Sequence, residues 1–215
     1  MEGVVEVLAI IQIALLLLIS VPFLYWLIMR IFAREESHEI LSELPDSMIC
    51  VVLPMRNESS NVARKLSSVV SEILPYEQSK LVIADSNSND GTGEIAVDFL
   101  KKSELDESRW QVMSFARKGK NVALNGVLEK VEADIFIISD ADANVCPGWL
   151  DVVRSRLGDS EIGVVSGVEN VDSGGLGKLN SYYRSKSNWL RIQESRKDST
   201  PVLEGSLLAW KTKSL

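Results

Sequence analysis

Residues 135–144 read IFIISDADAN. An apolar run, Ile135 to Ile138, stops abruptly at Ser139 and delivers Asp140, Ala141 and Asp142. A short run of this kind, bounded by polar residues, predicts a strand buried on both faces. In an extended chain alternate side chains point the same way, so the two carboxylates share one side, roughly 6–7 Å apart. Uncompensated, each raises the pKa of the other. A divalent cation removes that conflict, and Mg2+ or Mn2+ held by one or two carboxylates keeps positions open for phosphate oxygens. D-x-D alone is a short pattern, and a solvated acidic turn is the plain alternative. Its place at the tip of a buried strand favours the metal. A calcium EF-hand loop is excluded, because Val145 and Asp151 stand where it needs glycine and glutamate, and no helix precedes it.

Working outward, apolar β-rich runs alternate with segments of helical periodicity. Strands are predicted at 48–54, 80–85, 110–115, 134–139 and 161–168, and helices at 58–74, 91–102, 120–131 and 147–157. Val62, Leu66, Val69, Val70 and Ile73 form the apolar stripe of the first of these helices. Asn57 or Ser59 is expected to cap it, Asp90 or Thr92 to cap the second, and Pro147 to open the fourth. This alternation predicts an α/β domain with a mainly parallel sheet and helices on both faces. Ligands bind such sheets beyond the carboxyl ends of the strands, so the loops after Pro54, Asp85, Phe115 and Ser139 should converge. They carry PMRNES, DSNSNDGT, ARKGKN and DADAN. Lys118 and Lys120 offer cationic donors to a diphosphate. Asp85, an acid at a buried strand end, needs a partner, which a base or a ribose hydroxyl could supply. Neither G-x-x-x-x-G-K-[ST] nor an early G-x-G-x-x-G occurs, which argues against a P-loop and a Rossmann site.

The front of the chain differs. Residues 7–29 carry no charge, and as a helix they span roughly 35 Å, enough to cross a bilayer core. Glu2 and Glu6 precede this run and Arg30 and Arg34 follow it, so an uncleaved single-pass anchor at 1–32 is expected, with the rest cytoplasmic. Residues 33–47 read as a juxtamembrane linker and contain His38, the one histidine, as a solvated side chain. A net charge of −7 argues against nucleic acid as a main partner. Cys50 and Cys146 lack metal-ligand spacing and are read as reduced thiols. Residues 179–197 are aromatic and basic, suited either to a membrane surface or acceptor lipid, or to burial under the sheet.

Taken in order, VVLPMRNESSNV (51–62), VIADSNSNDGT (82–92), GKNVALNGVL (119–128), ISDADANVCPGWL (138–150) and EGSLLAWKTKSL (204–215) resemble the motifs of the family 2 glycosyltransferases, which have the GT-A fold. The likeness covers 48–215, read as one nucleotide-sugar-binding domain. It implies a nucleotide-sugar donor and a divalent cation, Mg2+ or Mn2+. It places Pro54 and Glu58 at the base pocket, Asp85 on the base, Lys120 near the nucleotide, Asp140 at ribose and metal, and Asp142 on the metal. With Arg56, Asn87 and Lys118 from the same loops these residues form the expected donor site. Met55-Arg56 stands where the family commonly has an aromatic residue, and Ser86-Asn87 where Asp and Gly are common.

The resemblance also implies a carboxylate general base beyond the last motif, and the stretch up to Leu215 reads as the start of a helix. Glu204 is the nearest acid and precedes that position. The expectation is therefore a donor half with an incomplete acceptor half, as in a shortened gene product or one part of a split enzyme. The acceptor would be a lipid or a glycan. The alternative is a non-catalytic, membrane-tethered module that binds a sugar nucleotide or serves a complementary subunit.

Overall fold

The computed structural model describes residues 2–32, 46–116, 119–168, 178–197 and 199–212. The linker up to residue 45 with His38, Lys118, and the glycine-rich stretch 174–177 lie outside them. The elements run α1 (Glu2–Phe32), β1 (Ile49–Met55), α2 (Val62–Ile73), β2 (Ser79–Asp85), α3 (Thr92–Lys102), β3 (Trp110–Ser114), α4 (Lys120–Leu128), β4 (Ile135–Ser139), α5 (Trp149–Gly158), β5 (Val164–Ser166), α6 (Lys178–Lys197) and β6 (Leu207–Lys211). Contacts divide the chain into two compact units, Met1–His38 with Glu169–Val202, and Glu39–Val168 with Leu203–Leu215.

The second unit is built on a six-stranded sheet of order β3-β2-β1-β4-β6-β5. β3, β2, β1 and β4 run parallel, as the strand–helix alternation requires. β6 enters antiparallel between β4 and β5. Two expectations change here. Residues 207–211 form a strand rather than the start of a helix, and the fifth predicted strand shrinks to Val164–Ser166 and pairs with β6. LLAWK is too short for periodicity to separate strand from helix, so its partners decide.

The central strands are buried on both faces, and their side chains sort by parity. Ile49, Val51, Leu53, Leu81, Ile83, Ile135 and Ile137 pack with Val62, Leu66, Val69 and Ile73 of α2, Ala96 and Leu100 of α3, and Leu150 and Val153 of α5. Cys50, Val52, Val82, Ala84, Phe136 and Ile138 face Ala123 and Val127 of α4. Helices therefore cover both faces, three on one and α4 on the other. Gly126 of α4 is needed for close approach, since a Cβ there would lie 2.3 Å from Cε1 of Phe115. Some local expectations also shift. Asn61 stands at the N-cap of α2 in place of Asn57 or Ser59, Gly91 at that of α3, and α5 begins at Trp149, two residues after Pro147. Gly91 has φ of 85°, a left-handed conformation that costs glycine little.

In the first unit α1 is long and apolar enough to cross a membrane by length and composition. The indole rings of Trp26 on α1 and Trp189 on α6 lie 5.7 Å apart. The Tyr25 hydroxyl donates to Glu194, which also accepts from Thr200 Oγ1 at 3.0 Å. Glu194 is the buried side chain among those described on α6.

Candidate donor and metal site

The four parallel strands end on one side and deliver their loops to it. β1 leads into Arg56, Asn57 and Glu58, and its loop is laced to the one after β2. Asn57 N donates to Ser88 Oγ (2.9 Å), Asn89 N to Asn57 Oδ1 (3.0 Å), Glu58 N to Thr92 Oγ1 (2.8 Å) and Ser59 N to Asp90 Oδ2 (3.0 Å). Asn57 and Asn87 both hold positive φ, which asparagine tolerates better than most residues. The β2 loop is tied in turn to the β3 loop: Asn87 Nδ2 donates to the Ala116 carbonyl (3.2 Å) and Gly119 N to Ser86 Oγ (2.8 Å). That second bond fixes the residue before Lys120.

β4 supplies the acids. Ala141 is 3 % exposed, while Asp140 is partly exposed and Asp142 exposed, so the two carboxylates stand on the solvent side of the turn. Asp140 forms an ion pair with the Lys120 ammonium across the cleft. Both partners are about a third or more exposed, at 32 % and 44 %, so this pair contributes little stability. Pro54, Met55, Arg56, Glu58, Ser86, Lys120, Asp140, Ala141 and Asp142 line one cleft of about 230 Å³. All four strand-end loops contribute to it. Asp85 and Asn87 line a larger groove of about 860 Å³ with Ser88, Ser114, Phe115 and Ala116. The Ser86 N–H donates to the Met55 carbonyl at 2.9 Å, tying the two strand ends where these cavities open.

The donor chemistry suits a cation with an incomplete protein shell. Among the described residues no three or more acids, histidines or cysteines gather to enclose a metal. Asp140 and Asp142 offer hard oxygens, and the remaining positions would fall to phosphate oxygens and water, as Mg2+ and Mn2+ allow. Arg56 and Lys120 add positive charge for a diphosphate within the same cleft.

The sequence profile of glycosyl transferase family 2 matches residues 50–215. The chain belongs to this family. Among relatives, glycosyltransferase AglE of Haloferax volcanii is 27% identical over 126 residues, covering 59% of this chain and 40% of that protein. The beta-monoglucosyldiacylglycerol synthase of Synechocystis is 31% identical over 104 residues, 48% of this chain and 22% of the relative. Among solved structures, a mannosyltransferase of Pyrobaculum calidifontis in complex with GDP-Man and Mn2+ superposes with a TM-score of 0.73 at 24% identity, covering 91% of this chain and 53% of that one. Glucosyl-3-phosphoglycerate synthase of Mycobacterium tuberculosis, in complex with Mn2+ and UDP-glucose, gives 0.53 at 23–24% identity, covering 78% and 57%. The fold is GT-A-like. The chain spans about half the length, or less, of these relatives.

Of the residues expected at the family 2 donor site, Pro54, Arg56, Glu58, Lys120, Asp140 and Asp142 share the smaller cleft, while Asp85 and Asn87 stand in the groove beside it. Asp85 is 7 % exposed and has a partner within the chain: its carboxylate accepts from the hydroxyl and N–H of Ser88. Glu204 lines neither cavity, and its backbone N–H donates to Ser166 Oγ at 2.7 Å. Residues not foreseen are Ser86, Ser139 and Lys65. Lys65 is 2 % exposed on α2, and its ammonium donates to Ser139 Oγ (2.7 Å) and the Ala143 carbonyl (2.9 Å). Burial lowers its pKa to about 8, partly offset by Asp140. The signal was in the sequence: Lys65 interrupts the apolar stripe, three residues after Val62 and one before Leu66.

Proposed function

We propose that this chain is the donor-binding part of a membrane-anchored glycosyltransferase, using a nucleotide-activated sugar and Mg2+ or Mn2+. The observation that carries this reading is the placement of Asp140 and Asp142 at the end of β4, in one cleft with Lys120, Arg56 and Glu58. When bound, the cation would neutralise the departing diphosphate. Asp140 and Asp142 would hold it, and Arg56 and Lys120 would bind phosphate oxygens. Asp85 and Asn87, in the neighbouring groove, would hold the base or ribose. In the transfer an acceptor oxygen forms a bond to the anomeric carbon as the bond to the diphosphate oxygen breaks. The acceptor proton passes to a carboxylate base, and a nucleoside diphosphate leaves. α1 would anchor the chain as a single-pass segment, with residues beyond it cytoplasmic. α6 carries six basic residues and one acidic one, a charge suited to an anionic lipid surface or a lipid-linked acceptor.

Calorimetry with UDP- and GDP-sugars in Mn2+ tests the reading. Wild-type protein is expected to release heat with at least one donor, and Asp142→Ala to lose it. Equal, negligible heats from both proteins would refute it. A second reading is favoured by one observation, the position of Glu204 outside both cavities. Under it the chain binds the donor for a complementary subunit and transfers nothing itself. Donor hydrolysis or transfer by the purified chain would exclude that reading.

A further inference from the structure

Lys65 is a charged residue where the fold asks for an apolar one. Its neighbours on the same side of α2, Val62, Leu66 and Val69, are fully buried. Burying an ammonium is costly unless its donors are satisfied. Its two partners are Ser139 and Ala143, the residues immediately before and after Asp140-Ala141-Asp142. The link extends further. Ser139 Oγ donates to the Ser206 carbonyl at 2.9 Å, and Asp140 N donates to the same oxygen at 3.2 Å. Arg64, the preceding residue on α2, reaches the Asp142 carbonyl at 3.5 Å.

We propose that Lys65 is a positioning residue, whose buried ammonium pins both ends of the loop that carries Asp140 and Asp142 and so fixes that carboxylate pair for a divalent cation and a diphosphate. The inference rests on the donor-site reading above. A fixed backbone at both ends of a three-residue turn leaves the two acids little freedom to splay, and outer partners of metal-binding carboxylates control affinity in this way. The charge of Lys65 pulls in the opposite direction. A buried cation near the pair repels a metal ion, so if charge were all that mattered, removing it would tighten metal binding. Pinning predicts that removal weakens it. The two effects differ in sign, and one measurement separates them.

The experiment titrates Mn2+ against the full chain with UDP or GDP present, reading free Mn2+ by electron paramagnetic resonance, for wild type, Lys65→Met, Ser139→Ala and the double variant. Methionine fills the space without charge or donors. Lys65→Met is expected to weaken binding by about tenfold and Ser139→Ala by about fivefold. The double variant is expected to be no weaker than Lys65→Met, because both changes break one network. Thermal unfolding measured in parallel separates a merely structural role, which would move the melting temperature and leave Mn2+ affinity unchanged. Unchanged or tighter binding by folded Lys65→Met overturns the proposal. Should that variant not fold, Ser139→Ala decides by the same criterion. Wild-type protein that binds Mn2+ with neither nucleotide overturns the donor-site reading itself.

Discussion

Asp90 is exposed in the loop after β2, yet it holds two loops together. Its carboxylate accepts from the Thr92 hydroxyl, from Thr92 N at 3.1 Å and from Ser59 N at 3.0 Å. The Thr92 hydroxyl is the largest of the influences that hold its pKa far below the ordinary carboxylate value of 3.8. A depressed pKa means that the unfolded chain takes up the proton first. The stabilisation is therefore complete above the unfolded value and is lost as pH falls below about 4 toward the folded one. Asp90→Asn is expected to flatten the fall in melting temperature between pH 4 and pH 2, checked by differential scanning calorimetry across that window. The candidate site was legible at this scale where residue type alone carries the chemistry: Asp140, Asp142 and Lys120 were readable from loop position, while Glu58 entered only through the family resemblance. Ser86 and Ser139 were not, because a serine at a strand end has no chemical mark until its neighbours from distant segments are known.

At the scale of elements, α2 shows how a helix end is closed from afar. Its last carbonyls have no partners within the helix. Arg109, in the single helical turn Glu107–Arg109 ahead of β3, donates to the carbonyls of Ile73 (2.7 Å), Leu74 (3.3 Å) and Tyr76 (2.6 Å), and to Ser79 on β2. Arg109→Met removes these charge-assisted bonds and is expected to lower stability by about 2 kcal/mol, read as a shift of the urea midpoint. Donor binding, proposed for the loops at the opposite ends of the strands, should be unaffected. The helices and parallel strands were legible because their apolar periodicities are local. The Arg109 cap and β6 were not, since each depends on a partner more than 30 residues away.

At the scale of the whole molecule, charge is unevenly spread. The chain carries −7 overall, while α6 holds six basic residues and packs on the end of the apolar α1 through Trp189, Glu194 and Lys197. If α1 spans the bilayer with Arg30 on the inner side, protease added to sealed, inside-out vesicles should cut the chain beyond residue 35 and leave a protected fragment of about 30 residues. Right-side-out vesicles should protect the larger part instead. Cleavage with the opposite pattern would reverse the topology.

The antiparallel insertion of β6 between β4 and β5 has a consequence for synthesis. On the ribosome β1, β2, β3 and β4 can pair in turn as each helix between them is made, yet β4 keeps a bare edge until residues 207–211 emerge. β5, made some forty residues earlier, has no strand to join before then. The nascent chain therefore carries an exposed, strongly apolar edge through the translation of all of α6, which makes this interval the one at which a trigger for misassembly, or a chaperone, would act.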